Sequence, residues 1–182
     1  MLTELERLSE QGLINLFYAD ESDVCSQGYV SYGWHFPGEE VFVSSQKRYR
    51  LNVFGLISRD NECIWSATTE SINAKLILEK IDMLSFSIDQ PTYIVLDNAS
   101  VQRAKIVEET IKLWQSRGLF LFFLPPYSPH LNIAQTMWRH LKGGWLRADD
   151  YTDDDSLAYD LNRCLANIGV NLKINFSPFN AN

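Results

Sequence analysis

The sequence predicts an α/β domain, a mixed β-sheet with helices on its faces. Three observations carry that expectation. Apolar runs of strand length stand at residues 13–19, 51–58, 91–96 and 119–124. The first strands come together and include a hairpin, which implies antiparallel pairing. Thereafter helical and strand patterns alternate, which implies parallel strands joined by helical crossovers. At 182 residues the chain fits one domain, and no internal repeat or low-complexity linker divides it.

Taken in order, Leu13 to Ala19 is a short, mostly apolar run ending at Asp20-Glu21-Ser22, and reads as a central strand. Strands are expected over 29–34 and 40–43 around Phe36-Pro37-Gly38. The runs 51–58 and 62–68 flank Arg59-Asp60-Asn61 as a hairpin. Ser71 suits the N-cap of a helix whose stripe is Leu76, Leu78, Ile81 and Leu84. Residues 91–96 form a buried strand ending at Asp97-Asn98. Ser100 can cap the next helix, with Ala104, Val107, Ile111 and Trp114 on one face and Gly118 closing it. The apolar strand 119–124 runs into Pro125-Pro126-Tyr127-Ser128-Pro129, a rigid turn. A helix bearing Leu131, Ala134, Trp138 and Leu141 follows and stops at Gly143-Gly144. Thr152-x-x-Asp155 resembles a capping box for a last helix with Leu157, Leu161, Leu165 and Ile168. The tail from Asn171 is expected to be loosely ordered, giving a domain core over about residues 13–170.

Composition excludes several classes. The 46% hydrophobic content with 9 Gly and 6 Pro argues against disorder or a fibrous chain. No apolar run reaches the roughly 18 residues of a membrane span, and the acidic start is unlike a secretory leader, so a cytoplasmic protein is expected. Cys25, Cys63 and Cys164 form no CxxC pair, and His35, His130 and His140 have no zinc-ligand spacing. A net charge of −7 argues against general coating of nucleic acid. The charge is uneven, however. Residues 121–148 carry Arg139, Lys142 and Arg147 with no acid, before the acidic run from Asp149 to Asp155. Lys47-Arg48-Tyr49-Arg50 is a smaller basic cluster.

In such a sheet, ligands gather beyond the carboxyl ends of the parallel strands, where Asp20 and Asp97 are expected. An aspartate after an apolar strand also serves as a turn or cap residue. If the two strands are neighbours, paired carboxylates repel unless a cation lies between them, and oxygen ligands select Mg²⁺ or Mn²⁺. Position 135 should share the sheet-packing face with Leu131 and Trp138. Its residue is Gln135, which also suits a backbone-bonded glutamine at the edge of a core.

Asp20-Glu21-Ser22, then Ile94 to Ser100, then Leu124-Pro125-Pro126-Tyr127-Ser128-Pro129-His130-Leu131-Asn132 with Trp138 and Leu141-Lys142 beyond, resemble the DDE superfamily. Within it they are similar to the mariner-like transposases of bacterial insertion sequences. The likeness spans roughly residues 13–145, and the proline block with its downstream Trp and Lys is its most specific part. It implies a ribonuclease-H-like catalytic domain for DNA strand cleavage and strand transfer, with two Mg²⁺ or Mn²⁺ ions. Asp20 and Asp97 match the family's metal-binding aspartates. Gln135 stands where the family's third acid, usually glutamate, is found, and Gln102 where histidine is common. Loss of that carboxylate implies weakened binding of the second metal and impaired catalysis.

The resemblance also implies DNA as partner, both transposon ends and target, and dimers or larger assemblies. Arg139, Lys142 and Arg147, with Tyr127 and Asn132, are the candidate contacts; solvated or structural roles suit them as well. Relatives carry helix-turn-helix modules ahead of this domain, and none is visible in the dozen residues before the first strand, so a catalytic piece or separately encoded frame is expected. Two other readings stay open: a non-catalytic DNA-binding or interaction module on this fold, and a ribonuclease-H-like nuclease unrelated to transposition. The proline block argues against the last.

Overall fold

A computed structural model describes residues 1–25, 49–97, 105–126, 128–151 and 153–179. The elements are α1 (Leu2–Glu10), β1 (Asn15–Cys25), β2 (Arg50–Ile57), β3 (Cys63–Thr68), α2 (Ala74–Ser85), β4 (Thr92–Leu96), α3 (Lys105–Ser116), β5 (Leu119–Phe123), α4 (Ala134–His140) and α5 (Asp154–Ala166). Five strands form one sheet in the order β3-β2-β1-β4-β5. β2 pairs antiparallel with β1 and β3, while β4 pairs parallel with β1 and β5. The mixed sheet expected from the sequence is therefore present. The expected strands over 29–34 and 40–43, together with Ser100, Gln102, Ala104, Tyr127 and Thr152, lie outside the described residues.

Alternation along the strands divides the core in two. Tyr18, Val53, Ile57 and Val95 point to the face covered by α1, α4 and α5, where Leu5, Ala134, Met137, Trp138, Leu157 and Leu161 meet them. Phe17, Ala19, Phe54, Leu56, Ile94 and Leu96 point to the other face, against Ile77 and Ile81 of α2 and Trp114 of α3. Gly118 closes α3 with φ of +92°, as its position after the stripe requires. No helix among the described residues is long and apolar enough to cross a membrane. All three cysteines are thiols.

Several expectations are corrected. β1 does not stop at Asp20 but continues to Cys25, because β2 remains hydrogen-bonded beside it after β4 has ended. Asn73, not Ser71, caps α2, accepting from Leu76 N at 3.0 Å. That cap sets the helix phase, so Ile77, Ile81 and Ser85 are buried while Leu76, Leu78 and Leu84 flank them. Asp153 is the N-cap of α5, accepting from Ser156 N at 2.8 Å. The helix expected from Leu131 is interrupted: a short 3-10 turn spans Pro129–Leu131, α4 follows, and a π turn over Leu141–Trp145 contains both glycines.

Both ends of the chain are better fixed than the sequence suggests. Residues Leu2–Glu10 form α1, with Glu6 buried in it alongside Leu2 and Leu5. Glu6 accepts a short hydrogen bond from the Tyr18 hydroxyl and pairs with Arg59 Nε at 2.6 Å. Arg59 also donates to Ser177 O at 2.8 Å, and its guanidinium lies over the Phe179 ring. The tail is anchored further by Asn61, whose side chain accepts from Ile174 N and donates to Ile174 O. Ile174 is buried as a result.

Candidate active site

The parallel ladder between β1 and β4 pairs Asn15 with Thr92 and ends with Tyr18 opposite Val95. Two residues further along each strand stand Asp20 and Asp97. The ladder has ended before them and Asp97 lies just past β4, but continued alternation turns both toward the face covered by α4, near enough for Asp97 to act on Asp20. The condition under which these two acids act together, that their strands are neighbours, holds because β1 pairs with β4. Burial pushes the Asp20 carboxyl up to about 6; the negative charges of Asp97 and Glu21 add to this, while the Glu21 backbone N–H and Trp138 oppose it. Asp97 is raised by burial too, with the Asn132 amide acting in the other direction. Each carboxylate is thus poorly compensated by the protein, and a cation would supply what is lacking.

Asn132, a candidate DNA contact from sequence, is instead buried and engaged with the protein. Its Nδ2 donates to Ala19 O at 3.0 Å and its Oδ1 accepts from Ala134 N at 3.1 Å, and its amide lies near enough to Asp97 to act against the upward shift of that carboxyl. One side chain therefore bonds the first residue of α4 and ties it to β1 immediately before Asp20. This turn-type bond to the backbone two residues on is legible in the sequence only as an Asn preceding an apolar helix.

Trp138 brings α4 onto the sheet. Its ring lies over Gly55, the antiparallel partner of Asp20. The indole N–H lies near enough to Asp20 to lower its pKa, yet it forms no hydrogen bond of normal geometry. A buried donor left so costs about 1–3 kcal/mol. Gly55 escapes notice in the sequence because its role depends on the helix across from it, although a lone glycine inside a strand does signal close approach.

Gln135 occupies the first turn of α4 beside Trp138 and is exposed. The expectation that it shares the packed face fails because the 3-10 turn at Leu131 breaks the helical phase, leaving Ala134, Met137 and Trp138 as the buried positions. α4 carries no acid, and among the described residues no group of three or more His, Cys, Asp or Glu side chains is placed to hold a metal. Asp20 and Asp97, two uncompensated carboxyl groups on one face, are the residues that would hold a divalent cation. A third carboxylate is absent from the α4 position.

Of the basic candidates, Arg139 is exposed on α4 and donates to Thr136 Oγ1, Lys142 stands half-buried in the π turn, and Arg147 is exposed. Arg139 lines a groove of about 440 Å³ with Arg59, His130, Thr136, Asn175 and Phe179. Arg59 and the tail enter this groove through the tertiary fold, a contribution no local pattern announces. In the smaller basic cluster, Arg50 pairs with Asp23 at 3.2 Å, while Lys47 and Arg48 lie outside the described residues.

A mixed five-stranded sheet in this order, with helices on both faces and two acids side by side where β4 ends, is a ribonuclease-H-like catalytic core. Residues 15–158 match the family model described as DDE superfamily endonuclease, and the chain belongs to that superfamily. Its fold is the one found in solved transposase and integrase structures. The crystal structure of the Mos1 mariner paired end complex with Mn is 15% identical over 91% of this chain and 52% of that one, at a TM-score of 0.64. A chain of the simian T-cell lymphotropic virus intasome is 11% identical over 90% and 51%, at 0.60. The catalytic core domain of BIV integrase is 14% identical over 87% and 86%, at 0.54. These are likenesses of fold, and this chain spans about half the length of the first two. No curated protein matches it in sequence.

Proposed function

We propose that this chain is the catalytic domain of a DNA transposase, cutting DNA strands and joining them to a target with Mg²⁺ or Mn²⁺ bound at Asp20 and Asp97. The observation that carries this reading is the placement of those two acids side by side where the β1–β4 ladder ends, on the α4 face, each with its carboxyl raised by burial. A bound divalent cation would polarise the scissile phosphodiester and offset the charge that develops on it. The residues' own work is to hold the carboxylates. Asp20 is fixed within a strand paired with β2, and Asn132, tied to Ala19 O, stands beside Asp97. Arg139, exposed on α4 at the rim of the groove, would neutralise a phosphate of the DNA strand passing α4. Lys142 and Arg147 would extend that surface.

Gln135 presents an amide where the family's third acid acts, so this chain should hold a second ion poorly and turn over slowly. Native assemblies would be dimers or larger on paired DNA ends. The test is Mg²⁺-dependent nicking of end-bearing DNA by the chain as it stands and by Gln135→Glu. Glutamate should raise the rate by about tenfold or more, and Asp20→Asn should abolish it. Equal rates with Gln and Glu would sink the impairment. The absence of any acid on α4 favours a second reading, a DNA-binding module without catalysis. That reading requires salt-sensitive DNA binding with no nicking in either version.

A further inference from the structure

Gly55 and Asp20 face each other across the β1–β2 ladder and so project from the same face of the sheet. Glycine leaves its projection empty, and the Trp138 indole fills it. A Cβ built on Gly55 would lie 2.7 Å from Trp138 Cη2 and 2.9 Å from Cζ2, closer than real contacts allow. Trp138 is only 5% exposed, and its Nε1 is a buried side-chain polar atom without a partner among the described residues. Buried donors are nearly always paired. The Asp20 carboxylate projects beside this ring, directly across the ladder from the glycine the ring covers, and feels the indole N–H as a donor. Packing alone would be served by Phe or Leu at this position. The indole adds one thing they lack, a directed N–H.

We propose that Trp138 is a positioning residue for Asp20. Its N–H closes onto the carboxylate oxygen that a bound cation leaves over, and Gly55 supplies the room for the ring. Groups that orient a ligating carboxylate in this way typically change metal affinity by about 10- to 100-fold when removed. The inference rests on the cation-binding reading of Asp20 and Asp97, so the experiment separates the two.

Mn²⁺ binding is measured by calorimetry on the whole chain, on Asp20→Asn, on Gly55→Ala and on Trp138→Phe. A fifth version carries 3-benzothienylalanine at position 138, which keeps the ring's shape and deletes only the N–H. The benzothienyl version should melt within a few degrees of the parent in chelator, yet bind Mn²⁺ about tenfold more weakly. Trp138→Phe and Gly55→Ala should weaken binding in the same direction. Parent binding that Asp20→Asn abolishes and the benzothienyl version leaves unchanged would overturn the positioning role while sparing the metal site. A parent chain that binds no Mn²⁺ would overturn both.

Discussion

Replacing Asp20 by Asn should make the protein more stable in chelator while removing its response to metal. Asp20 is buried next to Asp97, and its carboxyl is raised from 3.8 to about 6. The native state therefore binds this proton more tightly than the unfolded chain does. The group's contribution to stability is complete below pH 3.8 and is lost as pH rises through about 6. At pH 7.5 the ionised pair costs about 3 kcal/mol at most, from 1.36 kcal/mol for each pH unit between the two values. Asparagine removes that charge and keeps an oxygen for the Glu21 N–H, but adds amide hydrogens that need partners. A net gain of about 2 kcal/mol, or about 4–8 °C in melting temperature for a chain of this size, is expected. The assay is thermal melting followed by circular dichroism, at pH 7.5 and pH 4, with EDTA and then with Mn²⁺. The Asn version should melt higher in EDTA at pH 7.5, the gap should close at pH 4, and Mn²⁺ should raise only the parent. A variant that melts at or below the parent in EDTA at pH 7.5 would show that the carboxylates are not strained by their burial, and the argument for a cation between them would fall.

Arg59→Ala should cost about 3–5 kcal/mol, because it leaves the Glu6 carboxylate buried without its ion pair; urea unfolding at neutral pH measures this, and a loss below about 1 kcal/mol would mean the pair is not the clasp it resembles. Arg139→Gln should leave the melting temperature unchanged while weakening DNA binding uniformly across sequences. It should also reduce the slope of affinity against salt by about one ion, and fluorescence anisotropy at several salt concentrations gives that slope.

Much of this fold is legible in the sequence because its strands are apolar and short and its helices amphipathic. Leu119 to Phe123, or Leu157 with Leu161 and Leu165, state their own environment. The two acids are legible for a similar reason, since each stands where an apolar strand pattern gives way to polar residues. What local pattern cannot express is an arrangement set from across the fold. Glu6 reads as one more charge in an acidic start, and only Tyr18 and Arg59 make its burial possible. Asn132 reads as a surface amide until α4 turns it onto Ala19. Gln135 reads as facing the sheet until the 3-10 turn before α4 shifts the phase. The tail reads as loose because its anchor, Asn61, belongs to a hairpin more than a hundred residues earlier.

The clasp at Arg59 has a further consequence. Its guanidinium joins Glu6, near the start of the described chain, to Ser177, near its end. Terminal segments ordinarily open independently and at little free energy. Here, detaching either one disturbs the contact that holds the other, so α1 and the tail belong to one cooperative unit. Fraying at the ends is thereby coupled to the hairpin between β2 and β3, and through Tyr18 to the strand that carries Asp20. The site's rigidity is in this sense a long-range property, set partly by residues that never approach it.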